Sequence, residues 1–525
     1  MILVIVPAAL VVCTVLKTRW PVSAALIPDS IVSRSFHYRS PISLSSDLSF
    51  LRPSLFLIYP QFGFAPSHSC GIGYITAFLR EHGHPVDYLR LRMREDILAL
   101  YRAIEEKKPG LFGFASTTCQ FGHLKEIIRN IKSISRAFVV CGGLHPTLRP
   151  ECIHEIPELD AIVRGEGEHP MQELADALEK RQGYYTIRNI WFRRNGDIVK
   201  NELRPLIADL DALPFPDRDP HDYQSVLDND HGIHRMIFSR GCTFGCPYCS
   251  NKPLQQLYQD KGKYFRLRSP KKAIEEIKRD ASLFRFRSIF FDDDTITLDR
   301  KWFFEFFRMY KERFHFPFCC NLRPGTITEP MAQLLKAAGA NSVTIGVEHG
   351  NEAIRQNLLK RNLSNADIEK TVRLCKQAGI EKVGAHIMIG LPTENVDLYL
   401  DTVRLCRALG VIPLEYIYQP YPGTELGKLC EQNHWMPNKE FFLERSEAVI
   451  DYPEFCREHI QLCFDVFSKL VHYKSLPLEV PFARTVELLR LYRVLGLCLL
   501  PIPRMLHRYL SDIRSRWTQA RHARE

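Results

Sequence analysis

Between residues 52 and 180 the chain alternates short apolar runs with longer stretches of helical period. The runs 54–60, 85–91, 110–116, 137–143 and 160–168 read as strands. Helical patterns cover 71–83 (ended by Gly83), a stretch through Ile104, 121–134 and 169–180. This alternation predicts an α/β unit with a doubly wound parallel sheet, whose ligands bind beyond the carboxyl ends of the strands. Ser116, Thr117, Gly142, Gly143, His145, Thr147, Gly165 and Glu166 fall at those ends. The glycines there also suit plain turn chemistry. Gly71-x-Gly73 lacks the third glycine of a dinucleotide fingerprint, so nicotinamide binding is set aside.

Residues 186–202 read as a hairpin closed by Asn195-Gly196, followed by a Pro/Asp-rich linker over 209–220. A strand at 234–239 leads directly into Cys242-x-x-x-Cys246-x-x-Cys249. Beyond it, strands at 287–297, 316–325, 342–350, 382–394 and 414–426 alternate with helices at 300–313, 330–338, 351–359, 365–378 and 396–409. Six such units predict an open, partial version of the eight-fold barrel, with chemistry at the carboxyl-end loops. Asp292, Asp293, Arg323, Glu348 and Gly390 gather at those ends; Asp294 reads as a cap or solvated turn.

Composition narrows the picture. With 45% apolar and 25% charged residues the chain is globular, and 525 residues suggest about three domains. The net charge of +10 is too small to imply nucleic acid, and the scattered Gly and Pro exclude low-complexity readings. Sixteen cysteines on so long a chain do not form a disulfide framework. Three of them crowd into eight residues, and three thiolates on one loop can hold three corners of an iron–sulfur cubane. Structural zinc needs four ligands, and no second Cys-x-x-Cys pair follows; Cys319 and Cys320 are adjacent within a strand pattern.

In order and motif, residues 52–430 resemble the cobalamin-dependent radical S-adenosylmethionine (SAM) enzymes. The Cys-x-x-x-Cys-x-x-Cys motif, the Gly142–Thr147 and Gly165–Glu168 loops and the linker carry the resemblance. It implies a cobalamin-binding domain over 51–180, a hairpin and linker over 181–230, a radical SAM barrel over 231–430 and a helical, basic region over 431–525. It further implies a 4Fe-4S cluster on Cys242, Cys246 and Cys249, whose open iron takes SAM, with Tyr248 packing on the adenine. Asp292 and Asp293 would meet the amino group of SAM, Arg323 its carboxylate, and Glu348 and Gly390 its ribose, carboxylate or adenine. Ser116, Thr117, Gly142, Gly143, His145, Thr147, Gly165 and Glu166 would line the cobalamin site. No Asp-x-His-x-x-Gly occurs; Asp219-Pro-His221 lacks the glycine, so histidine ligation of cobalt from below is not expected. The implied reaction is methyl transfer to an unactivated carbon or phosphorus of a small-molecule or lipid-like substrate. Oxidative ring closure with the same cofactors and a non-catalytic cobalamin or redox sensor are the alternatives. Methylthio transfer to transfer RNA lacks its three-cysteine N-terminal domain here. The chemistry also implies a low-potential electron donor of flavodoxin or ferredoxin type, and a cytoplasmic setting.

The two ends read differently. Residues 2–16 are apolar but short for a membrane span and interrupted by Pro7, so 1–50 reads as a leader or disordered extension, with the true start expected near Leu51. Residues 481–525 hold nine Arg against three acids, which is +6 of the total +10. That segment suits either a helix packed on its own domain or peripheral contact with the inner membrane face.

Overall fold

The computed structural model of the chain describes residues 54–61, 69–92, 94–218, 220–436 and 446–472. The expectations for the apolar leader and the Arg-rich tail lie outside these residues.

The first sheet holds seven strands in the order β2-β1-β3-β4-β5-β6-β7. These are β1 (Leu55–Pro60), β2 (Val86–Leu91), β3 (Leu111–Ala115), β4 (Phe138–Gly142), β5 (Ala161–Val163), β6 (Ile190–Arg194) and β7 (Asp197–Lys200). The first five are parallel, as the alternation predicted. Alternate side chains go to opposite faces: Phe56, Ile58 and Phe112 pack into one core, Leu55, Leu57 and Leu111 into another. Helices Cys70–Glu81, Arg94–Lys107, Thr118–Ile134 and Glu168–Glu179 cover the sheet. The 186–202 hairpin, expected in the connector, instead extends this sheet: β6 pairs antiparallel with β5 and β7 with β6. Three-residue β5 would otherwise expose its ladder edge, and Ile190 and Phe192 find full burial there.

The second sheet is all parallel, in the order β15-β14-β13-β12-β11-β8. Its strands are β8 (Ile233–Met236), β11 (Ser288–Phe291), β12 (Phe318–Leu322), β13 (Ser342–Glu348), β14 (Lys382–Ile389) and β15 (Ile412–Ile417). The six expected units are present, and the sheet stays open because its edge strands β8 and β15 do not pair. One face is buried beneath helices: Phe291 and Phe318 meet Phe306, Phe307 and Tyr310 in an aromatic layer. The alternate positions (Arg235, Phe290, Asn321, Arg323, Glu348, His386, Met388 and Tyr416) are only half-buried and form the inner face. The expected strand 234–239 splits into β8 and β9 (Ser239–Arg240), and β9 pairs antiparallel with β10 (Arg266–Leu267). Helices Asn251–Leu257 and Pro270–Leu283 fill a stretch that periodicity had left unassigned.

A C-terminal helix, Arg457–His472, packs on helix Val396–Leu409; Tyr399 donates its hydroxyl to the Cys463 carbonyl at 2.9 Å. No described helix is long and apolar enough to cross a membrane.

Candidate active site

The cysteine loop begins where β9 ends. Gly241 turns it with φ +84°, and a β-carbon there would lie 2.8 Å from the Tyr264 carbonyl oxygen, so only glycine fits. The loop closes on itself through Cys249 N–H donating to the Cys246 carbonyl at 3.1 Å. The Gln255 amide donates to the carbonyls of Cys242 and Phe244. Cys242 and Cys246 are buried, Cys249 half-buried, and all three are free thiols.

Two side chains donate to these sulfurs. Arg323, at the carboxyl end of β12, brings Nη1 within 3.6 Å of Cys246 Sγ while its guanidinium lies 3.8 Å over the Phe244 ring. Asn251 brings Nδ2 within 3.6 Å of Cys249 Sγ. Burial pushes the Cys242 thiol up and that of Cys249 to about 11, which a soft metal would reverse. Donors aimed at sulfur suit thiolates rather than thiols. Three free thiols on one loop, two of them facing N–H donors, fit three corners of a polynuclear cluster, whereas a structural zinc ion takes four ligands.

Beside the loop, Tyr248 accepts a hydrogen bond from Arg361 Nη1 at 2.8 Å. The same nitrogen lies 2.7 Å from Glu348 Oε1, and Arg361 Nη2 donates to the Gly346 carbonyl at 2.6 Å. A β-carbon on Gly346 would sit 2.7 Å from Glu348 Oε1, so glycine makes room for this pair. Glu348 sits past an irregularity in β13 with φ +67°. Sequence reasoning missed Arg361, which meets Tyr248 across 113 residues of chain; no local pattern signals it.

The three aspartates after β11 part ways. Asp292 is exposed, 3.8 Å from Arg235. Asp293 is buried: Oδ1 accepts from Phe238 N–H (3.0 Å), Ser239 N–H (2.6 Å) and the Ser239 hydroxyl (2.5 Å). It braces the β8–β9 turn, and burial lifts its carboxyl to about 6. Asp294, read from sequence as a cap or solvated turn, is exposed at a bend and accepts from Asn251 Nδ2 at 2.8 Å. Gly390 does not reach the inner face. Its carbonyl accepts from the Tyr452 hydroxyl at 3.1 Å, and a β-carbon would meet Ile460 Cγ2 at 2.7 Å beneath the C-terminal helix.

A cavity of about 550 Å³ lies between the carboxyl ends of β1, β3, β4 and β5 and the cysteine loop. It spans the point where strand order reverses between β1 and β3, the usual ligand position on such sheets. Ser116, Thr117, Gly142, Gly143, Thr147, Gly165 and Glu166 border it from one side; Gly241, Asn251, Tyr258, Tyr264 and Asp294 from the other. Thr147 joins two of the loops: its hydroxyl donates to the Gly143 carbonyl at 2.6 Å and accepts from Gly165 N–H at 2.9 Å. Thr117 caps helix Thr118–Ile134 in a capping box with Gln120.

Two expected cavity residues do other work. His145 turns into the core, stacked on Phe121 at 4.4 Å, with Nδ1 3.2 Å from Thr118 Oγ1. Burial, helped by Arg149, lowers it to about 4, so it stays neutral. Glu166 borders the cavity, but Oε1 pairs with Arg240 (2.8 Å) and Arg266 (2.9 Å), and Oε2 accepts from Ile207 N–H at 2.7 Å. Glu168 takes the other arm of Arg240 at 2.5 Å. Among the described residues no histidine borders the cavity. Its walls are mainly apolar, with hydroxyls and close backbone at the strand ends, which suits a large ring with amide substituents.

Comparison with known proteins bears on both halves. Residues 236–406 match the Radical SAM superfamily and residues 65–175 the B12 binding domain. An uncharacterized methyltransferase of Pyrococcus horikoshii is 30% identical over 69% of this chain and 78% of its own. The anaerobic magnesium-protoporphyrin IX monomethyl ester cyclase of Rubrivivax gelatinosus is 25% identical over 68% of this chain and 65% of its own length. The radical S-adenosylmethionine methyltransferase TsrM of Kitasatospora setae, solved with cobalamin and a [4Fe-4S] cluster bound, superposes with a TM-score of 0.60. It shares 21% identity over 73% of this chain and 78% of that one.

Proposed function

From the premise that the chain belongs to the cobalamin-dependent radical SAM enzymes, we propose that it transfers a methyl group to an unactivated carbon, or to phosphorus, of a small-molecule substrate. One observation carries this reading: Asn251 borders the cavity and brings Nδ2 within 3.6 Å of Cys249 Sγ, so the cavity and the cysteine loop share a wall residue. When bound, the cluster with SAM supplies a carbon-centred radical and cobalamin supplies the methyl group.

The chain's own residues bind, orient and exclude water. Cys242, Cys246 and Cys249 hold the cluster, steadied by hydrogen bonds from Arg323 and Asn251 onto two of the sulfurs. Tyr248, Arg361 and Glu348 form a rigid seat for SAM, because each hydrogen bond fixes the next. Asp292 and Arg235 offer charge on the inner face. Ser116, Thr117, Gly142, Gly143, Thr147 and Gly165 line the cobalamin cavity. The substrate lies on the inner face of the open sheet, against the stacked rings of His386 and Tyr416. An external low-potential donor of flavodoxin or ferredoxin type reduces the system. The charge on 481–525 favours a lipid-like substrate and peripheral membrane contact as the narrower reading, checked by liposome co-sedimentation with and without that segment. Equal partitioning would remove it. The domain limits follow the same reading, with the hairpin at 190–200 joined to the first domain.

Anaerobic reconstitution with SAM and a reductant tests the assignment by mass spectrometry of the products. Formation of 5′-deoxyadenosine is expected, and its absence would reject the enzyme readings. Similarity to the ring-forming cyclase supports oxidative cyclisation as the second reading. S-adenosylhomocysteine accumulating alongside 5′-deoxyadenosine separates methyl transfer from cyclisation, which yields none.

A further inference from the structure

Asn251 opens the helix that follows the cysteine loop and meets three groups at once. Its Nδ2 lies 3.6 Å from Cys249 Sγ and 2.8 Å from Asp294 Oδ2, while its Oδ1 accepts from the Tyr264 hydroxyl at 2.9 Å. Asn251, Tyr264 and Asp294 all border the cavity. One amide thus belongs both to the cavity wall and to the surroundings of a cluster sulfur.

An N–H donated to a metal-bound sulfur draws charge out of the iron–thiolate bond and makes the cluster easier to reduce. Building on the cluster and cobalamin assignments above, we propose that Asn251 is a positioning residue that makes the cluster's reduction potential depend on what occupies the cavity. Both ends of the amide are engaged, so the group cannot turn without giving up a partner. An occupant that presses on Tyr264 or draws on Asp294 shifts the amide, and the hydrogen bond to Cys249 changes with it. Arg323 makes the other sulfur contact, and it does not border the cavity. It should set the potential without relaying occupancy. The consequence for catalysis is order: the cluster would be tuned for reduction according to whether cobalamin is in place.

The test is an anaerobic redox titration of the reconstituted full chain, followed by electron paramagnetic resonance of the reduced cluster, with and without hydroxocobalamin. Wild type is expected to change potential when cobalamin is added. Asn251→Leu, at matched iron content, should sit more negative and no longer respond. Arg323→Met should also sit more negative yet keep the response. Tyr264→Phe removes one partner of the amide with little change of shape and should blunt the response, which covers the case of an Asn251 variant that folds poorly. An Asn251→Leu protein with wild-type potential and wild-type response would overturn the proposal, as would a wild-type cluster indifferent to bound cobalamin. Failure of the wild type to assemble a cluster or to bind cobalamin would instead overturn the assignments beneath it.

Discussion

Gly165 carries φ +75°, and a β-carbon there would lie 1.5 Å from the Tyr258 hydroxyl oxygen, so this loop can meet the helix after the cysteines only as glycine. Replacing it by Ala combines a strained backbone with overpacking against a buried ring; a loss of about 1–3 kcal/mol in urea unfolding is expected. Asp293 gives a pH-dependent case. Its carboxyl rises from an ordinary value near 3.8 to about 6, chiefly through burial. The folded state therefore holds the proton more tightly, and the resulting stability is full below about pH 4 and lost as pH rises through 6. Asp293→Asn should flatten that part of the pH profile of unfolding free energy, while wild type falls by up to about 3 kcal/mol across it. At this scale the cysteines were legible because cluster ligation by one loop needs close spacing along the chain. Arg361 was not, because the fold brings it to Tyr248 on the cysteine loop across 113 residues of chain. His145 shows the converse: a histidine at a strand end reads as a ligand, yet the ring stacks inward on Phe121.

Between elements, the sequence was readable wherever burial imposes a period. The parallel strands of both sheets appear as apolar runs because each is covered or half-covered by helices. What escaped was pairing. Asn195-Gly196 marked a hairpin, but nothing local says that β6 joins β5; that depends on the open edge of a three-residue strand. Phe192 anchors the join: it is fully buried and packs against Phe138 and Tyr184. Phe192→Ala is expected to cost about 3–5 kcal/mol in chemical denaturation. Val199→Ala on half-buried β7 should cost clearly less, and equal costs would mean that the hairpin is not docked. Helix Pro270–Leu283 depends on long-range pairing as well. Asp280, fully buried, takes Arg218 at 2.9 Å and His234 at 3.0 Å. No apolar stripe alone would reveal that a carboxylate faces inward there.

The whole molecule turns on how the first sheet is held to the cysteine loop. Residue order along the chain predicted both halves and placed Glu166 at a strand end, and the family resemblance placed it at the cavity that it borders. In the structure Glu166 takes Arg240 and Arg266 on one oxygen and the Ile207 N–H on the other, and Glu168 takes the second arm of Arg240. Arg240 lies two residues before Cys242, so this ion-pair group fixes the cavity floor against the cluster loop. Arg266 is almost wholly buried, and removing its counter-charge leaves a guanidinium with only carbonyl partners. Breaking a buried pair from one side costs about 3–5 kcal/mol, far above the worth of an exposed pair. Glu166→Gln keeps the shape and removes the charge. Its melting temperature should fall, and its cobalamin affinity should weaken about tenfold in a spectroscopic titration, since about 1.4 kcal/mol of lost positioning corresponds to that factor. Iron content should hold, because the three cysteines and the Gln255 clamp lie within one loop and its helix. Loss of the cluster together with cobalamin would mean that the tie shapes the loop itself. Unchanged cobalamin affinity would mean that the cavity is set by the first sheet alone.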